Sequence, residues 1–416
     1  MPVPLWINST GRVNVTDKLQ RFIDSVPNGR VIRFHRNGRY RSEGTLFVSH
    51  RDHLVFDGNG ATVFATIRGA RNRAQWWIKD GSAIVFRNMK VRGANPNGGT
   101  SEGAYNVKQE TQHGFRLEGV DGAELDKVQV TDVYGDFVYI GRDKSKVASQ
   151  NVWIHDSDFK RNGRQGIAVT AATNVIIERN HFFNTRRSTI DLEPNSKSWH
   201  VSNVFVLDNT VGKGRLLFVA SHGQGPVDNI VISRNQLRGH VLNIDAVAPE
   251  GKRRSNWIIT DNVSNVTVHN RAIRLFGIDG LVVSGNTQRV AGEQPGLILT
   301  DDCGARIGRN NFGRTGVVRH GATCNAALAV PQTPPILDRN APPTTTTGPP
   351  TTITRPTPPS TTAPRIPTPT TVVTSSDNGN GLAGGLAIGA VVVLAAVALG
   401  LLMRSRRRRR DTPPAS

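Results

Sequence analysis

The sequence predicts an all-β solenoid. Three observations carry this: a nine-residue motif that recurs about every 25 residues, period-two apolar alternation inside each copy, and an asparagine at one fixed place in it. The copies read NVWIHDSDF from Asn151, NVIIERNHF from Asn174, NVFVLDNTV from Asn203, NIVISRNQL from Asn229, NWIITDNVS from Asn256, GLVVSGNTQ from Gly280 and GARIGRNNF from Gly304. Alternation such as Val175 with Ile177, or Ile230 with Ile232, marks a strand with one buried face. The seventh position forms a series, Ser157, Asn180, Asn209, Asn235, Asn262, Asn286 and Asn310, with steps of 23, 29, 26, 27, 24 and 24 residues. Asparagine suits that place because it tolerates the left-handed conformation of a tight turn and because stacked amides hydrogen-bond from coil to coil.

The same pattern runs upstream. AIVFRNMKV (83–91) and AELDKVQV (123–130) read as earlier coils, which brings the expected number to about nine or ten. Before them, TDKLQRFIDSV (16–26) sets Leu19, Phe22, Ile23 and Val26 on one helical face behind Thr16 as the expected N-cap. A helix there would cover the open end of the solenoid, which otherwise exposes a raw sheet edge.

Downstream of the solenoid the composition changes abruptly, dividing the chain into four parts: the folded domain 1–325, a linker 326–381, a membrane span 382–403 and a tail 404–416. The Pro- and Thr-rich stretch cannot bury a core and reads as an extended stalk, its 46 residues from 331 to 376 reaching about 140 Å as polyproline II. The 22 uncharged residues 382–403 are long enough, at about 1.5 Å each, to span a bilayer core of about 30 Å. Six arginines follow within seven positions, Arg404 and Arg406 to Arg410, so the positive-inside rule places the C-terminus in the cytoplasm. The expectation is a single-pass plasma-membrane protein with its folded domain outside the cell. MPVPLWINSTGRVNV has no apolar stretch of an export signal, so the start of the gene is expected upstream of Met1.

The net charge is +20, of which +5 belongs to the tail and +1 to the linker, leaving +14 on the folded part. That balance favours an anionic partner, an acidic polysaccharide or cell-wall polymer. No aromatic-interleaved basic stripe, helix-turn-helix or zinc-finger spacing is present, which argues against nucleic acid. The two cysteines, Cys303 and Cys324, suit no metal site by number or spacing; outside a cell they are expected to pair.

The stretch VTDKLQRFIDSVPNGRVIRFHRNGRYRSEGTLFVSHRDHLVFDGNGATVF and the asparagine series after it resemble the pectate-lyase-like right-handed parallel β-helix superfamily, as do GDFVYIG (135–141), NGRQGIAVT (162–170) and STIDLEPN (188–195). The likeness covers residues 12 to 325 and implies a right-handed parallel β-helix. The superfamily includes polysaccharide lyases, glycoside hydrolases, epimerases and non-enzymatic surface and phage proteins, so it implies no single reaction. NVWIHDSDF only echoes the WIDH-type segment of pectate lyases, and the polygalacturonase set of NTD, DD, GHG and RIK is not reproduced.

The strands after each turn align as GDFVYI, RQGIAV, STIDLE, RLLFVA and HVLNID, with Val138, Ile167, Ile190, Leu217 and Leu242 expected to face inward. One outward row then reads Tyr139, Ala168, Asp191, Phe218 and Asn243; the next reads Gly141, Thr170, Glu193, Ala220 and Asp245. Nearer the turn stand Asp136 and Gln165, with Arg164, Arg187 and Arg215 close by. Asp191, Glu193 and Asp245 are the candidate catalytic carboxylates for glycoside cleavage. Asp136, Tyr139, Arg164, Gln165, Arg187, Arg215 and Phe218 are the candidate substrate contacts, the two aromatics for stacking on sugar rings. Three readings stay open. A hydrolase would use paired carboxylates. A lyase or epimerase would use a basic residue beside a uronate, with calcium on the acidic groups. An adhesion or wall-scaffolding module would use the same groove without chemistry. The sequence itself names no cofactor and no metal ligands, and an acidic His222 neighbourhood at a strand end is a further place for titration.

Overall fold

A computed structural model of the protein describes residues 1–268, 272–290, 295–313 and 317–320. Among these residues the strands form three parallel sheets of 11, 12 and 11 strands, and every strand inside a sheet pairs with its counterpart one coil earlier and one coil later. The first sheet carries the apolar half of the motif, for example Ala172–Glu178 and Val201–Leu207; the second carries the short strands just after the asparagine, such as His181–Phe183; the third carries Val138–Gly141, Ile167–Val169 and Ile190–Leu192. The solenoid has about eleven coils, more than the expected nine or ten. The extra coils are the earliest, Val31–Arg33 and Val55–Asp57, whose first-sheet strands are only three residues long and precede the coils in which the ladder asparagine appears.

The asparagine series lies in one line inside the corner between the first and second sheets. Asn180 Nδ2 donates to Asn209 Oδ1 at 3.1 Å, Asn209 to Asn235 at 3.0 Å, Asn235 to Asn262 at 2.8 Å, Asn262 to Asn286 at 2.9 Å and Asn286 to Asn310 at 3.0 Å. Each Oδ1 also takes the backbone N–H of the previous coil's ladder residue, beginning with Ser157 N–H to Asn180. Buried amides with every donor satisfied are what this corner needs, because an unpaired polar group there would carry its full desolvation cost. The conformational half of the expectation is corrected: the left-handed residue is the one before, Asp156, Arg179, Asp208, Arg234, Asp261 or Gly285, with φ between 50° and 69°. Left-handed asparagines do occur at the motif's first position, Asn151, Asn174, Asn203, Asn229 and Asn256, where four of them link into a second, more exposed amide chain.

Inward side chains fill the bore. Trp76 packs edge-on against Phe34, Phe56 and Phe86, Phe56 lies flat on Phe86 at 4.4 Å, and Phe137, Phe159 and Phe182 continue the file. The N-terminal end is closed as expected by the helix Thr16–Ser25, which buries Leu19, Phe22 and Ile23 and packs on Leu46–Ser49, the first strand and N-terminal edge of the third sheet. Gln20 completes the seal: its amide donates to Phe47 O at 3.0 Å and accepts from Phe47 N–H at 2.7 Å, so the edge strand meets a side chain where another strand would pair. Thr16 is not the cap. Asn14 Oδ1 takes the Thr16 N–H and hydroxyl, because Thr16 already belongs to the first helical turn.

Cys303 is buried and no cysteine is free among the described residues; Cys324, its expected partner, lies outside them. The linker 326–381, the span 382–403 and the tail 404–416 also lie outside them. Among the described residues no helix is long and apolar enough to cross a membrane.

Candidate functional site

The outer face of the third sheet is set by its register. Val138, Ile167 and Ile190 stack inward as expected, and the pairing then runs on to Val219 and Ile244. The outward row is therefore Phe47, Trp77, Arg116, Tyr139, Ala168, Asp191, Ala220, Asp245 and Arg274. Two expectations change. Phe218 is fully buried in the core and has no face for a sugar, while Leu217, expected inside, is only half-buried. Asp245 stands in the Asp191 row, two coils on and about 10 Å away by strand spacing, and not in the Glu193 row. The cause lies in RLLFVA, where five consecutive apolar residues fit either register equally well.

At the centre is a buried carboxylate cluster held by the turns that enter the sheet. Asp136 is wholly buried; Arg164 Nη1 donates to both its oxygens at 3.1 and 2.9 Å, and the Gln165 N–H donates at 2.8 Å. Gln165 passes the pattern along the next coil, donating through Nε2 to Asp191 and accepting the Ser188 N–H at 2.8 Å. Arg164 also reaches Glu193 at 3.6 Å and Glu110 at 3.9 Å, so one guanidinium bridges three carboxylates. Asp191 points out of the bore, as its alternation with Ile190 and Leu192 requires, yet it is 5% exposed because neighbouring turns cover it. Burial pushes the Asp136 carboxyl up to about 6 against the opposing pull of Arg164 and the Gln165 N–H. Burial, and then the charge of Glu193, pushes Asp191 well above the usual carboxylate range. Arg164 stays firmly protonated: burial opposes its charge, but Asp136, Glu193 and Asp191 together outweigh it.

Beside the carboxylates runs an aromatic and cationic file. Phe47 and Trp77 lie 5.5 Å apart, Arg116 sits 3.9 Å over Trp77 and 5.7 Å from Tyr139, and Glu118 holds both the Trp77 indole N–H (2.9 Å) and the Arg116 guanidinium (2.7 Å). His113 stacks on Tyr139 at 5.1 Å, and its Nδ1 accepts the Asp136 N–H at 3.1 Å, which places the ring proton on Nε2. Burial first, then Arg116 and Arg164, holds this imidazole neutral.

Asp136, Tyr139, Arg164, Gln165, Asp191 and Glu193 are thus brought together. Arg187 and Arg215 stand nearby but turn to the 93–114 connection: Arg187 lies 4.3 Å over Tyr105, and Arg215 pairs with Glu102. Asp245 belongs to a separate group, held by Arg274 at 2.8 and 2.6 Å with His222 at 3.6 Å. Sequence reasoning missed Glu110, His113, Trp77, Phe47 and Arg274. Two had a signal: His113 precedes Phe115 by two residues as Asp136 precedes Val138, and Trp77 alternates with the core residue Trp76.

The carboxylates here do not fit a calcium ion, because Arg164 occupies the place between them and burial favours their protonated forms. Elsewhere, on the first sheet, Asp126, His155 and Asp156 converge. The imidazole is engaged at both nitrogens, by Asp156 at 2.7 Å and Glu124 at 3.1 Å, while Lys127 neutralises Asp126 and Arg179 neutralises Asp156. This is an ion-pair network.

Three parallel sheets wound around one apolar bore, with a polar and aromatic face on the third, define the class of extended parallel β-helix proteins. Residues 77–273 match the family described as the right handed beta helix region, and the fold is a right-handed parallel β-helix of the pectate-lyase-like kind. No curated protein sequence matches it. Among solved structures it is similar to the A-module of the mannuronan C-5 epimerase AlgE6 from Azotobacter vinelandii, with a TM-score of 0.53 and 14% identity over 78% of this chain and 94% of that one. It is also similar to the surface protein and adhesin PfbA of Streptococcus pneumoniae (TM-score 0.51, 15% identity, 75% and 97% covered). A third similar structure is a hyperthermoactive exopolygalacturonase of Thermotoga maritima (0.50, 11%, 77% and 92%). At these identities the likeness establishes the fold and leaves the chemistry to the site.

Proposed function

We propose that this protein binds an acidic polysaccharide along the outer face of its third sheet and hydrolyses it there, held at a cell surface by residues 382–403. The observation that carries this reading is the pair of buried carboxyls, Asp136 and Asp191, both pushed above the ordinary carboxylate range, around Arg164 and next to the Trp77 and Tyr139 file. Asp191, kept protonated by burial, donates its proton to the glycosidic oxygen as the bond to the leaving sugar breaks. Glu193, one-third exposed, takes a proton from the attacking water. Glu193 follows directly on the strand Ile190–Leu192 that carries Asp191, and a hydrolase that holds its water between the two carboxyls in this way inverts. Asp245 does not share the chemistry in this reading, because Arg274 holds both its oxygens; it positions the chain two coils away.

Elimination and epimerisation fit less well. They need a base beside the uronate, and Arg164 is held protonated by three carboxylates while burial raises the Tyr139 phenol above its ordinary value. Binding without cleavage is the second reading, favoured by the low exposure of Asp191 and its hydrogen bond from Gln165. Incubating the extracellular domain with a panel of acidic glycans separates the three. New reducing ends alone mean hydrolysis, unsaturated ends mean elimination, and retention on a glycan column without either means a binding module. Protease added to intact cells tests the anchoring: the folded domain is released and the arginine tail stays protected, whereas a shielded domain overturns the topology.

A further inference from the structure

The connection 93–114 leaves the second sheet, makes two short 3-10 turns and lies against the turns that carry the central cluster. It is seated tightly. A Cβ on Gly135 would come within 2.5 Å of Glu110 O, and one on Gly163 within 2.6 Å of Ala104 O, so the two glycines ahead of Asp136 and Arg164 are what let it approach. From this seat it directs two carboxylates at arginines on three successive coils. Glu110, hydrogen-bonded by the Tyr105 hydroxyl at 2.8 Å, faces Arg164 at 3.9 Å; Glu102 pairs with Arg215 and lies 3.6 Å from Arg186.

Arg164 is also held by Asp136 and Glu193, but among the described residues Arg186, Arg187 and Arg215 have only Glu102 as a carboxylate within ion-pair distance and the Tyr105 ring to face them. Arg164 and Arg187 are neighbours across one coil step, and Arg186 and Arg215 across the next, where Thr185 pairs with Gly214. Arg186 is 9% exposed, its Nε has no hydrogen-bond partner, and burial followed by the charges of Arg215 and Arg187 weakens its hold on its proton. The one carboxylate shared by Arg186 and Arg215, Glu102, is 79% exposed. A crowded cationic row with a solvent-exposed counter-charge is built to accept anions, since the exposed pair holds only weakly against a competing charge.

We infer that Arg186, Arg187 and Arg215 form an anion-binding row for consecutive acidic groups of a linear polyanionic glycan, and that Glu102 is an internal placeholder which the ligand's own carboxylates or sulfates displace. This rests on the reading that the third-sheet face binds polysaccharide, and adds which residues read the charge. The aromatic file then takes the sugar rings while the row takes their acids. Because displacement costs the ligand the Glu102 contact, removing that charge strengthens binding.

The test is titration calorimetry of the full extracellular domain with polygalacturonate and with dextran of matched length, at several salt concentrations. Glu102→Gln is expected to bind polygalacturonate about two- to fivefold more tightly than the parent, with a steeper salt dependence and no change toward dextran. Arg215→Gln is expected to weaken polygalacturonate binding, with an unchanged circular dichroism spectrum. If Glu102→Gln binds polygalacturonate equally or more weakly, or if dextran responds in the same way, Glu102 is only a latch for the connection and the inference falls. Turnover of glycan that is insensitive to Glu102 would leave the hydrolase reading standing without it. Tighter binding by Glu102→Gln with no turnover in any protein would leave the anion row standing and remove the hydrolase. No binding of either polymer would overturn both.

Discussion

The corner between the first and second sheets and the outer face of the third sheet are built on opposite plans. At the corner the chain repeats without insertion: one left-handed residue, one buried asparagine, then the next strand, coil after coil. The steps between asparagines nevertheless vary from 23 to 29 residues, and the variation falls in the connections entering and leaving the third sheet, such as 193–200 and 212–218. An amide chain whose every donor needs the next coil's acceptor cannot tolerate an insertion. A surface connection can, because its backbone reaches water and its lengthening costs little entropy. The difference teaches where to look for function in this solenoid: at the corner that varies in length.

The contrast can be broken in four places. The largest effect is expected at Asp191. Asn is isosteric with the neutral acid and still accepts from Gln165, so Asp191→Asn keeps the fold, with a melting temperature at least as high as the parent's, while glycan turnover falls by about 10²- to 10⁴-fold. Initial rates and a thermal scan check both halves; an unchanged rate removes Asp191 from the chemistry.

Next is the ladder. Asn209→Ala strips the Asn180 N–H and Nδ2 of their acceptor and the Ile177 carbonyl of its donor, and is expected to cost about 3 kcal/mol or more in urea denaturation. Asn203→Gly, which removes an amide of the exposed chain without straining that left-handed residue, should cost less than about 1 kcal/mol. Equal costs would mean that burial does not decide the matter.

Third is pH. Asp191 holds its proton in the folded state above the value near 4 at which the unfolded chain releases it. Its contribution is therefore fully present below about pH 4 and is lost as pH rises through the folded value. The stability of the parent relative to Asp191→Asn should fall with rising pH from that point, by about 1.4 kcal/mol for each pH unit that separates the unfolded value from the folded one; a difference that rises would contradict the effect of burial. Asp136, raised to about 6, acts in the same sense in both proteins and cancels from the comparison.

The smallest effect is at the end of the solenoid. Gln20→Ala frees the Phe47 N–H and carbonyl to water, and a loss of about 0.5 to 1.5 kcal/mol is expected, with soluble aggregates at high concentration if the bare edge pairs with a second copy. Light scattering reads the second outcome.

The ladder was legible because burying an amide at every coil leaves the same residue at the same place in each repeat, tied to period-two apolar pairs. Asp136, Gln165 and Asp191 were legible because they sit at fixed offsets from inward residues in coils of similar design. Legibility stopped at RLLFVA, where Phe218 was assigned outside and proved to be core. A run apolar at every position carries no alternation, so only the pairing of Val219 with Ile190 and Ile244 decides its register. Asp245 moved rows for the same reason, and its partner Arg274 comes from the following coil.

By itself the sequence determined the solenoid, its capping helix, the line of asparagines and the acidic character of one face, because each is a local pattern repeated until chance is excluded. Tertiary structure alone decided that Asp191 is buried, that Arg164 bridges three carboxylates and that Glu102 and Glu110 face the arginines from a connection 54 to 113 residues earlier in the chain. The physical reason is that burial and charge pairing depend on what packs from other coils, and parallel winding brings together residues whose separation along the chain carries no periodic trace.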